Sequence, residues 1–340
     1  MKTVCFGEIM LRLCPPDFER FVQADSFDAV YGGSEANTAV SLANFGIDSV
    51  YVTNLPAHEI GQAAVNSLRR YGVDTSQINR KGARVGIYYL EKGASHRPAK
   101  VIYDRANSAF AMSERGDFDW DAILSGADIF HFSGITPAIG GNLPEICLDA
   151  LKCAKKLNIT VSCDINYRKT LWTHAQAAAV LTPLMEYVDI LIVNEEHAAD
   201  IFGIRGFNPI PERALTDLAD YEITARKLAE SFNLKKAVVT LRRTISADNN
   251  AIAAVIYDAQ SDKFATSTPY NITIIDRVGA GDAFTAALIY THLQNQTPQD
   301  AIEFATAANA LKHTINGDSN LTSAAEITSI TKEKRGAVVR

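Results

Sequence analysis

Short apolar runs alternate with amphipathic stretches along most of the chain, and their periods assign the elements. Residues 3–6, 49–53, 127–133, 159–164, 188–193 and 236–241 are apolar runs of strand length. Helical spacing of apolar positions predicts helices over 36–45, 61–71, 142–157, 174–186, 195–202, 220–231, 281–293 and 298–311. Strands that are apolar on both faces and separated by helices belong to a mostly parallel sheet covered on both sides, an α/β architecture. Two segments break this rhythm. Residues 9–31 and 84–104 alternate apolar and polar positions around turn residues, with no helical pattern. They predict antiparallel strands in two insertions. These either meet as one small sheet over a ligand or stay separate as two surface hairpins.

Composition narrows the class. A chain of 340 residues, 47% of them hydrophobic, has material for one large α/β domain or two ordinary ones. No apolar run approaches the ~18 residues that cross a bilayer, and no basic stretch leads into an apolar signal core. A cytoplasmic protein is expected. The five cysteines form no C-x-x-C pair and read as free, mostly buried thiols. A net charge of −6 excludes a general nucleic-acid surface. The basic tail, 331–340, reads as a solvated end.

Candidate chemistry concentrates in three stretches. In Gly279-Ala280-Gly281-Asp282, glycines let backbone N–H groups converge at the start of a helix, where the dipole favours an anion such as phosphate. Asp282 at that mouth is placed to take a proton from an attacking hydroxyl. For an isolated G-x-G-D, the competing reading is a tight turn whose aspartate satisfies helix N–H groups. In "YGGSEANTAVSLANFG", Tyr31 to Gly46, Gly32-Gly33 permits unusual backbone angles and reads as a hinge or a close-approach site. Ser34, Glu35 and Asn37 bring polar groups to the following helix; a capped turn is the plainer reading. "SCDINYRKTLW", Ser162 to Trp172, follows a strand whose carboxyl end presents Asn166 and Arg168 to phosphate or substrate oxygens.

Together these motifs resemble one family. D-x-x-G-A-G-D-x-F, Asp276 to Phe284, resembles the C-terminal signature of the ribokinase-like (PfkB) sugar kinases, and "YGGSEAN" their di-glycine motif. D-x-N-Y-R-x-x-L-W resembles the 2-keto-3-deoxygluconate kinase branch, as do "FGEIMLRLCPP" and "SGITPAI"; the likeness spans about residues 3–325.

The resemblance implies a three-layer α/β/α ribokinase-like fold over 1–330, with a small β-sheet lid from about 9–32 and 84–106. It implies ATP and Mg²⁺ and phosphorylation of the terminal hydroxyl of 2-keto-3-deoxygluconate, with Asp282 as base and Gly279, Ala280 and Gly281 as anion hole. Gly33, Ser34, Asn37, Tyr88, Tyr103, Arg105 and Arg168 would hold the sugar, the two arginines its carboxylate. Asn166, Arg168, Asn194, Thr240, Arg242, Gly279, Gly281 and Asn309 would serve the nucleotide. A kinase for fructose or for 5-dehydro-2-deoxygluconate, and an idle sugar sensor on the same fold, are the alternatives.

Three positions depart from the family pattern. Arg277 stands where Thr or Pro is commoner. His197 replaces the glutamate of N-x-x-E that organises magnesium through water; Glu195 or Glu196 would substitute, and His197 reads as a helix-surface residue. The stretch 240–250 lacks the usual glycine turn, so Arg242 or Arg243 would meet the phosphates instead. Exposed lid strands offer an edge for a homodimer.

Overall fold

The computed structural model describes residues 1–206 and 218–332; the basic tail expected at 331–340 lies almost wholly outside them. The strands are β1 (Lys2–Phe6), β2 (Met10–Cys14), β3 (Asp28–Gly32), β4 (Asp48–Leu55), β5 (Ile78–Arg80), β6 (Ile87–Glu91), β7 (Lys100–Asp104), β8 (Ile129–Ser133), β9 (Thr160–Asp164), β10 (Ile190–Asn194), β11 (Lys236–Thr244), β12 (Asn249–Asp258), β13 (Lys263–Thr266) and β14 (Tyr270–Thr273). The helices are α1 (Ser34–Asn44), α2 (Glu59–Arg69), α3 (Trp120–Ile123), α4 (Ile135–Ala138), α5 (Leu143–Lys156), α6 (His174–Met185), α7 (Glu195–Phe202), α8 (Ala219–Phe232), α9 (Ala280–Leu293), α10 (Pro298–Lys312) and α11 (Ala324–Lys332).

The main sheet runs β13-β12-β11-β10-β9-β8-β1-β4-β5, with β14 pairing beside β12. From β11 to β5 every pairing is parallel; β12, β13 and β14 extend that edge antiparallel. The apolar runs follow from burial on both faces. Val4 and Phe6 of β1 and Leu191 and Val193 of β10 enter one core with α5, α6 and α8, whereas Cys5, Ile190 and Ile192 enter the other with α1, α2, α9 and α10. Each such side chain, fully buried, contributes roughly 1.5–3 kcal/mol.

The insertions do meet. They form a separate sheet ordered β3-β2-β6-β7. Each hairpin is antiparallel, but its two halves join in parallel, Leu11 facing Ile87. The antiparallel strands expected within each insertion are present, and the seam between the insertions is parallel. Both first strands leave the same end of the core in the same direction, β2 only three residues after β1, so they run side by side.

The alanines of α9 explain its place. This helix is buried almost all round, with Ala283, Ala286 and Ala287 inside, and it packs against both α1 and α10. Small side chains let three helices approach closely, which brings the start of α9 against the start of α1.

Candidate active site

Gly279 caps α9 in the left-handed region, φ 83°, and a Cβ there would collide with the Asp318 carbonyl oxygen. Only glycine fits. Gly281 differs: it is exposed, and a Cβ would meet nothing within 4 Å. The Ala280 N–H reaches the Arg277 carbonyl at 3.5 Å, and the turn opens onto free space at Gly281, which suits an anion approaching the backbone. Asn309 steadies the turn from α10, its Nδ2 donating to the Ala280 carbonyl at 2.9 Å. Asn309 Oδ1 is buried without a hydrogen-bond partner.

Asp282 is not a helix cap, for α9 has no side-chain capping bond. Its buried carboxylate faces α1 instead. Ser34 Oγ donates to Oδ1 at 2.8 Å and Asn37 Nδ2 to Oδ2 at 2.8 Å. Asn166 Nδ2 in turn donates to Ser34 Oγ at 2.9 Å. The two sequence motifs and the strand-end motif therefore converge on one carboxylate. Desolvation raises Asp282 to about 6, with the donors from Asn37 and Ser34 holding it from rising further. It is ionised near neutral pH yet close enough to the proton it would accept to act as a base.

A second carboxylate was not singled out from sequence. Asp164 ends β9, accepts the Asn166 N–H at 3.0 Å and the Thr285 hydroxyl at 3.5 Å, and is raised to about 7 by desolvation and then by the charge of Asp282. The available signal was its place at the carboxyl end of an interior strand. Asn166 beside it sits in the left-handed region, φ 37°, a conformation that an Asn tolerates better than most.

The di-glycine acts by close approach rather than by angle. Gly33 has φ −177°, extended backbone open to any residue, but a Cβ there would strike the Glu8 carbonyl oxygen, and one on Gly32 the Asp318 carboxylate. The expectation of unusual backbone angles is corrected accordingly, and the close-approach alternative is the one the geometry supports. Glu35 lies behind the site, accepting from Ser133 N at 2.9 Å and Thr136 Oγ1 at 2.9 Å; burial raises its carboxyl.

The lid residues are partly engaged. Arg105 Nε donates to Glu8 at 2.8 Å, Nη2 and Ser108 also reach Glu8, and the guanidinium lies 5.6 Å from the Tyr103 ring centre. The Tyr88 hydroxyl donates to Asp318, and its ring lies 6.0 Å from that of Tyr103. Arg168 is exposed, and its charge acts on both Asp164 and Asp282. Of the two expected carboxylate-binding arginines, Arg168 projects into solvent at the site, whereas Arg105 already holds an internal carboxylate.

On the expected nucleotide side, Asn194 Oδ1 caps α7 by accepting the His197 N–H at 2.7 Å. Thr240 stands opposite Asn194 in β11, with exposed Arg242 two residues on. The stretch 240–250 is the β11–β12 hairpin, and Arg277 Nη2 donates to its Ala247 carbonyl at 2.6 Å. His197 is half-buried against Tyr167, ring centres 5.1 Å apart, and desolvation lowers it to about 4. It is a neutral packing residue rather than a surface one. Among the described residues, no three His, Cys, Asp or Glu side chains cluster as a metal cage.

A glycine-started helix with open space at Gly281 and a buried carboxylate beside it suit phosphoryl transfer. The chain belongs to the pfkB family of carbohydrate kinases, which it matches over residues 1–324. It is 49% identical to a 2-dehydro-3-deoxygluconokinase of Thermotoga maritima whose crystal structure superposes with a TM-score of 0.92, covering 98% of this chain and 100% of that one. A 2-dehydro-3-deoxygalactonokinase of Haloferax volcanii is 31% identical over 93% of this chain and 92% of its own length. A 2-dehydro-3-deoxygluconokinase of Thermoproteus tenax is 28% identical over 94% and 90%.

Proposed function

We propose that this kinase transfers the γ-phosphoryl group of ATP to the terminal hydroxyl of 2-keto-3-deoxygluconate, giving the 6-phosphate. The observation that carries the chemistry is Asp282, a buried carboxylate raised to about 6 and aimed at α1 rather than at its own helix. Ser34 and Asn37 fix its orientation. As the sugar oxygen bonds to phosphorus and the bond to the β-phosphate oxygen breaks, the hydroxyl proton passes to Asp282. The open first turn of α9 receives the charge on the transferring group. Such catalysis rests on position and preorganised charge more than on covalent help.

The names of the relatives and the branch motifs support the acid sugar, with Arg168 as the exposed cation at the site. Mg²⁺ is usually held by one or two carboxylates together with phosphates and water. Glu195 and Glu196, in the first turn of α7, are oxygen donors suited to an outer position, and the ion would neutralise phosphate charge. Five free cysteines, four of them buried, suit a reducing cytoplasmic setting.

The outer face of the lid supports a homodimer. Leu13, Ile87 and Tyr89 are half-exposed there, and Ile102 on edge strand β7 is 55% exposed. Ile102→Lys should shift size-exclusion elution towards monomer; unchanged elution of a wild-type dimer would remove this face from the interface.

The deciding experiment is a coupled assay with purified protein and ATP on 2-keto-3-deoxygluconate, 2-keto-3-deoxygalactonate, 5-dehydro-2-deoxygluconate and fructose. The acid 3-deoxy sugars should have the highest kcat/KM. A better rate on fructose would overturn the sugar assignment, and no turnover on any sugar would favour a sensor.

A further inference from the structure

One buried ionic cluster is not used by the reaction as described. Arg12 lies on lid strand β2 yet is 1% exposed. Its Nη1 donates to Asp318 Oδ1 at 2.6 Å and its Nη2 to Asp276 Oδ2 at 2.6 Å. Those two carboxylates bracket the anion-hole turn. Asp276 begins it, accepting Val278 N–H on Oδ1 at 3.1 Å and Gly317 N–H on Oδ2 at 3.0 Å. Asp318 lies beneath it, its carbonyl against Gly279 and its carboxylate bonded to Tyr88 of β6. Lys312, fully buried, completes the cluster; its ammonium donates to the Ile315 carbonyl at 3.1 Å, and its charge reaches both aspartates.

Two cations thus face two carboxylates. Buried ion pairs of this kind add little net stability compared with apolar residues of similar volume. What a guanidinium fork does supply is fixed geometry, because its two N–H directions are rigidly related. Here the fork joins the root of the lid to both chain segments that shape the Gly279 turn.

We propose that Arg12 is a positioning residue for the anion hole, a strut from the lid root that sets where the α9 N–H groups point. It does not touch substrate. The lid root is then fixed to the core through both β2 and β6, by Arg12 and by Tyr88. This rests on the reading of the α9 turn as the phosphate site.

The test compares Arg12→Lys, which keeps the charge and loses the fork, with Tyr88→Phe, which removes only the hydroxyl contact to Asp318. Circular dichroism and Tm monitor folding, and kcat and KM are measured for sugar and ATP. A displaced anion hole should lower kcat by about 10–100-fold in Arg12→Lys and by a smaller factor in Tyr88→Phe. Both KM values should stay within about threefold. A folded Arg12→Lys enzyme with lower Tm but wild-type kcat would overturn the proposal, as would a change confined to the sugar KM. Should Arg12→Lys fail to fold, Tyr88→Phe decides alone: reduced kcat at unchanged KM supports the strut, and wild-type kcat overturns it. Asp282→Asn assayed in parallel separates the two levels. If it too keeps its rate, the site reading falls; if it alone loses rate, only the strut falls.

Discussion

Replacing Asp282 by asparagine separates its catalytic role from a structural one, because the two predict opposite changes. Burial raises this carboxyl from the ordinary 3.8 to about 6, so its ionised form costs about 3 kcal/mol more to fold than the protonated form. A carboxyl with a folded value above its unfolded one stabilises the fold below about pH 4. It loses that contribution as pH rises through about 6. An unfolding entropy near ~2.1 cal/mol/K per residue gives ~0.7 kcal/mol/K for 340 residues. Asp282→Asn should therefore raise Tm by about 4 °C at pH 8 and leave it near wild type at pH 4, by differential scanning calorimetry. In the coupled assay the same variant should lose about 10²–10⁴ in kcat. A Tm lowered at pH 8 would show that the contacts with Ser34 and Asn37 outweigh desolvation. A kcat within a few-fold of wild type would remove Asp282 from the role of base.

Three other outcomes follow from the same geometry. In wild type, kcat/KM should fall about tenfold per pH unit below about pH 6 as Asp282 protonates; a flat profile down to pH 5 would contradict the base assignment. Gly33→Ala should lower kcat/KM at least about tenfold and cost about 1–3 kcal/mol in urea unfolding, because its methyl displaces the Glu8 backbone and with it the partner of Arg105; unaltered kinetics would show that the contact relaxes freely. Arg168→Ala should raise KM for 2-keto-3-deoxygluconate far more than for ATP and narrow the preference over fructose, whereas an equal kcat loss on every sugar would make Arg168 a phosphate ligand.

Much of this site was legible in the sequence. The D-x-x-G-A-G-D-x-F stretch singled out Asp282, and the di-glycine motif singled out Ser34 and Asn37, which the fold places 2.8 Å from it. Periodicity fixed most core elements to within one or two residues, because strands buried on both faces leave unbroken apolar runs. What stayed hidden was pairing across long separations. Arg105 and Glu8 are 97 positions apart, and nothing local marks them as partners. Arg12 sits at an alternating position of a lid strand, where an arginine reads as solvent-facing; only the fold shows two carboxylates waiting for it. Asp164 resembles any strand-ending aspartate until Asp282 appears beside it. For the di-glycine pair the sequence left hinge and close approach both open, since a collision with a distant carbonyl leaves no trace in local conformational preference.

The parallel seam between β2 and β6 carries a consequence for how the molecule is made. A two-stranded hairpin is marginal in water by itself, so each half of the lid depends on the other. The backbone seam between the halves pairs Leu11–Leu13 with Ile87–Tyr89, 76 residues apart in sequence, and the intervening chain builds α1, β4, α2 and β5 of the core. Closing so long a loop before the core exists would be entropically costly. The core should therefore condense first, and the lid assemble last on strands already pointing the right way. Until then the edges of the lid strands would stand unpaired on a nearly finished enzyme, the stage at which newly made chains of this protein are most exposed to misassociation.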